Sequence, residues 1–232
     1  MCYSTAFDRD LKALERAYHR RMLEESRRAL LQRDEIDEAA DPDRSVLFQQ
    51  TSAFARPFWP VISTAQPDVI DMFRWGFVPK HIRTEAEAKA YLKQYPSFNA
   101  VSEDVEAKRT FQEAWRKGQR CLIPVTAFFE WQHVPVPGRR TPDKVPFRMH
   151  TNEPTFSLGG LWTDTGLGYR VYTVLTTHAG PLMSQIHNTK KRQPVIIPKD
   201  MEALWLNAEL PLDEVERICA PVPDTDLMAD AA

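Results

Sequence analysis

Cysteine and glycine are scarce in this sequence of 232 residues, which contains 3 cysteines and 8 glycines. The cysteines, Cys2, Cys121 and Cys219, lie far apart, and none stands in a CxxC or CxxxxH spacing. Disulfide frameworks and structural zinc sites depend on paired or closely spaced ligands. The sequence therefore argues against both, and we expect the thiols to be reduced.

Long apolar runs are also missing. No stretch approaches the roughly 18 apolar residues of a membrane-spanning helix, and the first residues lack a basic segment followed by an apolar core. The hydrophobic content of 43% and the charged content of 27% are those of an ordinary globular protein. We expect a soluble, cytoplasmic monomer that does not bind a membrane.

Basic residues are concentrated in two stretches, although the net charge is -2. Residues 107–120 hold five cations against one acid, and residues 187–199 hold four cations and no acid. Either stretch could contact phosphates, whereas a solvated charged face is the more common role of a single basic run. The net charge argues only against a nucleic-acid binder that is basic throughout.

The order of predicted elements indicates a single α+β domain. Residues 8–33 predict one long N-terminal amphipathic helix with Asp8 as its N-cap. Its apolar positions recur at steps of three and four: Leu11, Leu14, Tyr18 and Met22. A helix at 84–95 and strands without regular βαβ alternation indicate a mainly antiparallel, barrel-like sheet with flanking helices. We place the domain at residues 1–220 and expect the acidic tail 221–232 to be disordered.

Three polar residues could be functional or merely structural, and their positions in the sequence do not decide between the two roles. Glu130 lies in the apolar stretch CLIPVTAFFEWQ, where it either reaches solvent at the strand end or lines a pocket that raises its pKa. His187 precedes a basic loop, and a lone loop histidine is more often solvated than catalytic. Asn99 fits a turn as well as a ligand contact.

Cys2 becomes the first residue if the initiator methionine is removed. A terminal cysteine carries an α-amine and a thiol on adjacent carbons, and no other position offers both nucleophiles. The α-amine, with a pKa of about 7.7 to 8.0, is partly unprotonated at neutral pH, unlike lysine at about 10.4.

Several motifs in order resemble the signature of the SRAP family, named as SOS-response-associated peptidases. They are MC at the N-terminus, RWGFVP, FNAVSED, KRTF, RCLIPVTAFFEW, and IH followed by RQPVII. The resemblance runs from Cys2 to about Ile197. It implies a protein of the DNA damage response that becomes crosslinked to abasic sites in single-stranded DNA, with one α+β domain and neither a metal nor an organic cofactor.

Residue roles follow from this resemblance position by position. Cys2 matches the crosslinking residue, and Glu130 matches a general acid and base that in the family also releases Met1. His187 matches the histidine that assists sugar ring opening, and Asn99 matches the amide that positions the Cys2 end. For DNA binding, the resemblance and the basic runs point to four cations: Arg109, Lys190, Lys191 and Arg192.

The resemblance also implies a reaction for the terminal cysteine. An opened abasic sugar exposes an aldehyde, which an amine converts to an imine. A thiol two carbons away closes on that imine to give a five-membered thiazolidine, whereas a cysteine within the chain could form only a reversible hemithioacetal. The adduct therefore requires the removal of Met1.

Several positions depart from the family pattern. Tyr3 and Ser4 stand where the family commonly has Gly-Arg, and Val101 replaces an arginine that follows the asparagine. His81 and Ile82 replace an aromatic pair suited to stacking on DNA. Other aromatics are candidate platforms, although aromatics in apolar runs are usually core residues: Trp75, Phe77, Phe98 and Trp131. We expect DNA to be held more weakly or in a different geometry.

Two other functions stay open. An N-terminal-nucleophile amidohydrolase also exposes a cysteine after methionine loss, but the 8 glycines include none of that class's glycine-rich oxyanion turns. The second alternative is a noncatalytic protein that binds single-stranded DNA through a decayed site. The presence of Cys2, Asn99, Glu130 and His187 together argues against decay.

Overall fold

Two mainly antiparallel β-sheets form the centre of the fold. The structure is a computed structural model, and it describes residues 2–37, 39–41 and 45–232. The strands of the described part are β1 (Ser4–Ala6), β2 (Arg21–Met22), β3 (Thr51–Ser52), β4 (Phe58–Ser63), β5 (Gln66–Trp75), β6 (Asn99–Val101), β7 (Arg120–Val125), β8 (Ala127–Val134), β9 (Asp143–His150), β10 (Phe156–Thr163), β11 (Val171–His178), β12 (Arg192–Pro194), β13 (Ile196–Ile197) and β14 (Met228–Ala231). Five of them form one sheet, in the order β14-β9-β8-β1-β3, and nine form the other.

The larger sheet curves into a ring-like arrangement. Its strands follow the order β12-β11-β10-β7-β4-β5-β2, with β13 added to β10 and β6 added to β11. β11 also pairs, in parallel, with β5 through Val171↔Arg74 and Tyr172↔Trp75, so the strands next to the two ends of the path come together. The α+β class and the barrel-like sheet predicted from the sequence are confirmed.

Helices flank the two sheets. In the described part they are α1 (Leu11–Tyr18), α2 (Glu24–Arg33), α3 (Glu85–Gln94), α4 (Gln112–Arg116), α5 (Pro181–Ile186), α6 (Glu202–Trp205) and α7 (Leu212–Ile218), with short 3-10 helices at Ala53–Ala55, Val105–Ala107, Lys199–Met201 and Asp224–Asp226. The predicted helix at 84–95 is α3. A capping box begins it, because Thr84 and Glu87 each accept a hydrogen bond from the other's backbone N–H. None of the helices described is both long and apolar enough to cross a bilayer.

The single long helix predicted for residues 8–33 is wrong, because the chain leaves the helical path after Tyr18. His19 ends α1 in the left-handed conformation, with φ 51°, and β2 then pairs in parallel with β5. The Glu15 carboxylate accepts a hydrogen bond from the Met22 N–H at 2.9 Å. The Glu15 side chain and the edge of β5, where the carbonyl of Ile70 accepts from the Leu23 N–H at 2.7 Å, thus bond backbone groups that a continuous helix would have bonded to itself.

The predicted N-cap of this helix is also wrong. Asp10, not Asp8, caps α1, since its carboxylate accepts a hydrogen bond from the Ala13 N–H at 2.7 Å. Asp8 lies outside the helix and forms an ion pair with Arg148 at 2.9 Å. The apolar periodicity locates α1 but not its first residue.

The apolar stretch CLIPVTAFFEWQ forms parts of two strands that belong to different sheets. The chain passes from β7 to β8 at Thr126, whose N–H donates to the carbonyl of Ala6 at 2.8 Å. In β8, Phe128 packs in the large hydrophobic core, whereas Phe129 belongs to a separate small cluster. Because successive side chains of a strand point to opposite faces, Glu130 shares the face of Phe128 and points to the interior.

The C-terminal residues are ordered, and the disorder expected for 221–232 is therefore wrong. β14 pairs antiparallel with β9, from Met228↔His150 to Ala231↔Phe147. Leu227 is buried, and the Asp230 carboxylate lies 3.0 Å from Nε2 of His150. The acidic composition predicted a solvated tail, but backbone pairing with an open sheet edge orders it.

Candidate active site

The N-terminal residues run beside the strand that carries Glu130. β1 pairs antiparallel with β8 through Thr5↔Phe128 and Ala6↔Ala127. Continuing that register toward the N-terminus brings residues 2 and 3 alongside residues 130 and 131. The structure thus brings together Cys2 and Glu130, which the sequence separates widely.

The Cys2 thiol is fully buried, with 0% of the residue exposed. Its Sγ donates a weak hydrogen bond to the carbonyl of Ser4 at 3.7 Å. Burial raises the pKa of the Cys2 thiol far above its usual value, and the nearby Glu130 carboxylate raises it further. The thiol is therefore held in its neutral form in the resting site.

The Glu130 carboxyl is a buried, titratable group. The residue is 3% exposed, and burial raises the pKa of its carboxyl from 4.5 to about 7. Of the two alternatives left open by the sequence, exposure at the strand end is wrong. A carboxyl with a pKa near neutrality can both donate and accept a proton at physiological pH, which is what general acid and base catalysis requires.

His187 faces Glu130 from the end of α5. Its Nε2 lies 4.0 Å from Oε2 of Glu130, and burial lowers the pKa of the imidazole. Its Nδ1 lies 2.8 Å from the carbonyl of Arg192, a shorter contact than the one from the Arg192 N–H at 3.3 Å. Since a carbonyl can only accept, we assign the proton to Nδ1, which leaves the lone pair of Nε2 directed to the site.

Asn99 has an unsatisfied side chain. It begins β6, which pairs in parallel with β11 through Val174↔Asn99, and it is 9% exposed. Neither its amide nitrogen nor its amide oxygen has a hydrogen-bond partner among the described residues. A buried polar atom left in this state costs about 1 to 3 kcal/mol, so the amide is suited to a ligand that completes its bonds.

Asn99 is linked to the N-terminal residues through its neighbour. The rings of Phe98 and Tyr3 meet edge to face, with centroids 6.4 Å apart. The strand that carries Asn99 therefore lies against the residue that follows Cys2. The positions of all four predicted catalytic residues are thus connected through β1, β6, β8 and α5, while their catalytic roles stay predictions.

The four predicted DNA-binding cations differ in their surroundings. Arg109, Lys190 and Lys191 are exposed, and none of them forms an ion pair with an acid in the described part of the chain. Arg192 instead donates to both carboxylate oxygens of Glu103, at 3.0 and 2.7 Å. Its guanidinium already holds a carboxylate, and a DNA contact through it stays a prediction.

Two features of this region were not found in the sequence. Glu103 anchors Arg192, and nothing in the FNAVSED motif distinguishes it from a surface acid. Phe54 stacks on Tyr3 next to Cys2, but a phenylalanine in a stretch without helix or strand periodicity carries no sequence signal of exposure. Three of the candidate stacking residues are core residues: Trp75, Phe77 and Phe98.

The Glu130 carboxyl and the His187 imidazole thus lie 4.0 Å apart in an α+β domain, and the buried Cys2 thiol lies beside Glu130. Among the described residues, no group of three or more His, Cys, Asp or Glu is placed to hold a metal ion. The chain belongs to the SRAP family, described as SOS response associated peptidase, whose profile matches residues 1–231.

Relatives of the chain are named for a function. The abasic site processing protein HMCES of Xenopus tropicalis is 25% identical in a 180-residue alignment that covers 66% of this chain and 50% of that protein. The protein of the same name from Gallus gallus is 27% identical in a 176-residue alignment that covers 66% of this chain and 49% of that protein. The chain thus spans about half the length of these relatives.

Solved structures share the fold. A crystal structure of a protein from Bacteroides thetaiotaomicron superposes with a TM-score of 0.79 at 26% identity, over 99% of this chain and 91% of that one. A crystal structure of a protein from Bordetella bronchiseptica gives a TM-score of 0.73 at 24% identity, over 100% of this chain and 99% of that one. The second similarity supports the fold alone.

Proposed function

We propose that this protein captures abasic sites in single-stranded DNA by forming a thiazolidine with Cys2 after Met1 is removed. The observation that carries the proposal is the Glu130 carboxyl, which has a pKa of about 7 and lies alongside Cys2 and 4.0 Å from His187. The family membership and the relatives named abasic site processing protein HMCES support an activity on abasic sites. The protein would act in the DNA damage response as an intracellular monomer.

Removal of Met1 comes first, because only then does Cys2 have a free α-amine. Hydrolysis of the Met1–Cys2 peptide bond consumes one water, and the leaving amine must gain a proton. Glu130 is placed alongside the new terminus, and its pKa of about 7 allows it to take a proton from water and return it to the amine. We therefore assign this autopeptidase step to Glu130.

Condensation with the sugar follows. His187, neutral because burial lowers its pKa, accepts the proton of the sugar hydroxyl at Nε2 and returns it to the ring oxygen as the ring opens to the aldehyde. The α-amine adds to the carbonyl carbon, and one of its protons moves to the carbonyl oxygen. Protonated Glu130 then gives its proton to that hydroxyl, which leaves as water, and the remaining proton of the nitrogen returns to Glu130, so that a neutral imine is left. Asn99, whose amide has unused bonds, holds the Cys2 terminus toward the sugar.

Ring closure completes the capture. The Cys2 thiol adds to the imine carbon, its proton passes through Glu130 to the nitrogen, and the carbon–sulfur bond closes the five-membered ring. The raised pKa of the thiol fits this order, since a neutral thiol attacks slowly and the amine must react first. The same raised pKa argues against the amidohydrolase alternative, in which the thiol is the primary nucleophile.

A denaturing gel tests the proposal. Protein with a verified Cys2 terminus is mixed with single-stranded DNA that contains one abasic site, and a covalent band should appear. DNA with a tetrahydrofuran analogue, which cannot open to an aldehyde, should give no band, and neither should Cys2→Ala. If the wild-type protein gives no adduct, the crosslinking function is wrong.

A further inference from the structure

We propose that the rings of Tyr3 and Phe54 form a stacking platform for the nucleobase next to the abasic nucleotide. This inference rests on the proposed function, and it assigns a binding site for the undamaged part of the substrate. We call these two residues the platform. The platform supplies an aromatic surface beside Cys2, in a protein whose departures from the family pattern predicted weaker DNA binding.

The platform lies directly beside the reacting residue. Tyr3 follows Cys2 in the chain, and its ring stacks on that of Phe54 with centroids 5.0 Å apart and an interplanar angle of 22°. The Ala53 N–H donates to the carbonyl of Tyr3 at 2.8 Å, which ties the two segments together. A ligand bound covalently at Cys2 therefore has its neighbouring groups within reach of these rings.

One face of Phe54 is open to solvent. Tyr3 covers one face, and the buried ring of Phe98 approaches from the edge with centroids 5.5 Å apart, yet 68% of Phe54 is exposed. Phe54 thus has Tyr3 against one face of its ring and Phe98 at the edge, and the second face is free. A flat aromatic group could stack on that free face without moving the protein.

The turn that contains Phe54 ends at a residue with an unfavourable backbone conformation. The 3-10 helix Ala53–Ala55 ends at Arg56, which adopts the left-handed conformation with φ 51°. Such a conformation is unfavourable for a residue other than glycine. The Arg56 side chain is buried and donates to Glu85 at 2.8 Å, which locks the turn and fixes the direction of Phe54.

An abasic site offers the matching surface. The nucleotide that has lost its base leaves its neighbour with one face that no longer stacks on another base. Stacking of a base on an aromatic side chain is worth about 1 to 3 kcal/mol and tolerates any base. The free face of Phe54 therefore fits the exposed base that flanks the lesion, whichever base that is.

Binding measurements on two DNAs test the platform. Both contain the tetrahydrofuran analogue, so that affinity is measured without covalent capture. In the first DNA the analogue has normal neighbours, and in the second both neighbouring nucleotides also lack bases. We expect Phe54→Leu, which keeps an apolar side chain but loses the aromatic face, to weaken binding of the first DNA by roughly 5- to 100-fold.

The second DNA and a matched variant isolate the stacking. Phe54→Leu should bind the second DNA as tightly as the wild-type protein does, because no base is left to stack. Phe58→Leu is the control, since Phe58 is also exposed, at 42%, but its ring contacts Arg74 and Tyr169 instead of Tyr3. Phe58→Leu should change the affinity for the two DNAs by the same factor.

The outcomes separate the two proposals. If Phe54→Leu affects both DNAs equally or neither, while the wild-type protein still forms an adduct with natural abasic DNA, the platform is wrong and the crosslinking function stands. If the wild-type protein forms no adduct and binds neither DNA, both proposals are wrong. A loss confined to the DNA with normal neighbours supports the platform.

Discussion

Two glutamates on either side of the loop 187–192 show how the same side chain is given opposite properties. Glu130 is buried beside Cys2 and His187, and burial raises the pKa of its carboxyl to about 7. Glu103 is also partly desolvated, which by itself raises the pKa, but hydrogen bonds from Arg192 outweigh this and lower the pKa to about 2. One carboxyl can exchange a proton at neutral pH, and the other is a permanent anion.

The loop between them connects the two environments. Its first residue, His187, faces Glu130, while its last residue, Arg192, is bound by Glu103 through two hydrogen bonds. The carbonyl of Arg192 in turn accepts from Nδ1 of His187 at 2.8 Å. The Glu103 anion thus fixes the loop, and the loop orients the His187 imidazole toward the titratable Glu130 carboxyl.

Replacement of each glutamate should separate chemistry from positioning. Glu130→Gln removes the proton donor and acceptor, so we expect the rate of adduct formation to fall by about 10²- to 10⁴-fold. Glu103→Gln keeps a hydrogen-bond acceptor for Arg192 and should slow the reaction by less than about tenfold. Single-turnover rates measured on denaturing gels, with protein that already lacks Met1, give both numbers. Equal losses in the two variants would contradict the separate roles.

Stability measured against pH should change in opposite directions for the two groups. The folded protein holds the proton of Glu130 up to about pH 7, whereas the unfolded chain releases it near 4.5, so stability is lost as pH rises through this range. Glu130→Gln should therefore be more stable than the wild type at pH 8, by at most about 3 kcal/mol. The difference should shrink below pH 5.

Glu103 provides the opposite sign as a control. Its lowered pKa contributes stability that is present above about pH 4.5 and is lost as pH falls toward 2. Glu103→Gln should thus be less stable than the wild type at pH 7, with the difference shrinking in acid. Urea unfolding at several pH values measures both trends. A stability of Glu130→Gln that does not vary with pH relative to the wild type would contradict the buried, titratable carboxyl.

The smallest expected effect concerns the exposed cations of the same loop. Lys190 and Lys191 are exposed, unlike Arg192, and each phosphate contact to single-stranded DNA contributes about 0.7 to the slope of log affinity against log salt. Replacing both lysines with alanine should lower that slope by about 1.4 and leave the capture rate at saturating DNA unchanged. An unchanged salt slope would remove these lysines from the DNA interface.

The sequence predicted local features where local rules decide the structure. The capping residues Thr84 and Glu87 and the helical composition behind them locate α3, and alternation within β8 puts Phe128 and Glu130 on one face. The sequence did not locate the break after Tyr18 or the order of the C-terminal tail. In both cases the chain pairs with a sheet edge supplied by a distant segment, β5 or β9, and local propensity does not report such partners.

The candidate site could also be predicted only in part from the sequence. Cys2 and Glu130 stand in recognisable motifs, but the burial that raises the pKa of Glu130 depends on the pairing of β1 with β8. The partnership of Glu103 with Arg192 and the stacking of Phe54 on Tyr3 join segments far apart in the chain. Single residues can be proposed from motifs, whereas their environments arise only from the tertiary fold.

The intact mass of the protein–DNA adduct tests the central claim most directly. A thiazolidine formed by the terminal Cys2 predicts the mass of the protein without Met1 plus the mass of the abasic DNA, minus one water, and this mass should not change after treatment with borohydride. An adduct that retains Met1, or that gains two hydrogens on reduction as an imine at a lysine would, contradicts capture by the terminal aminothiol.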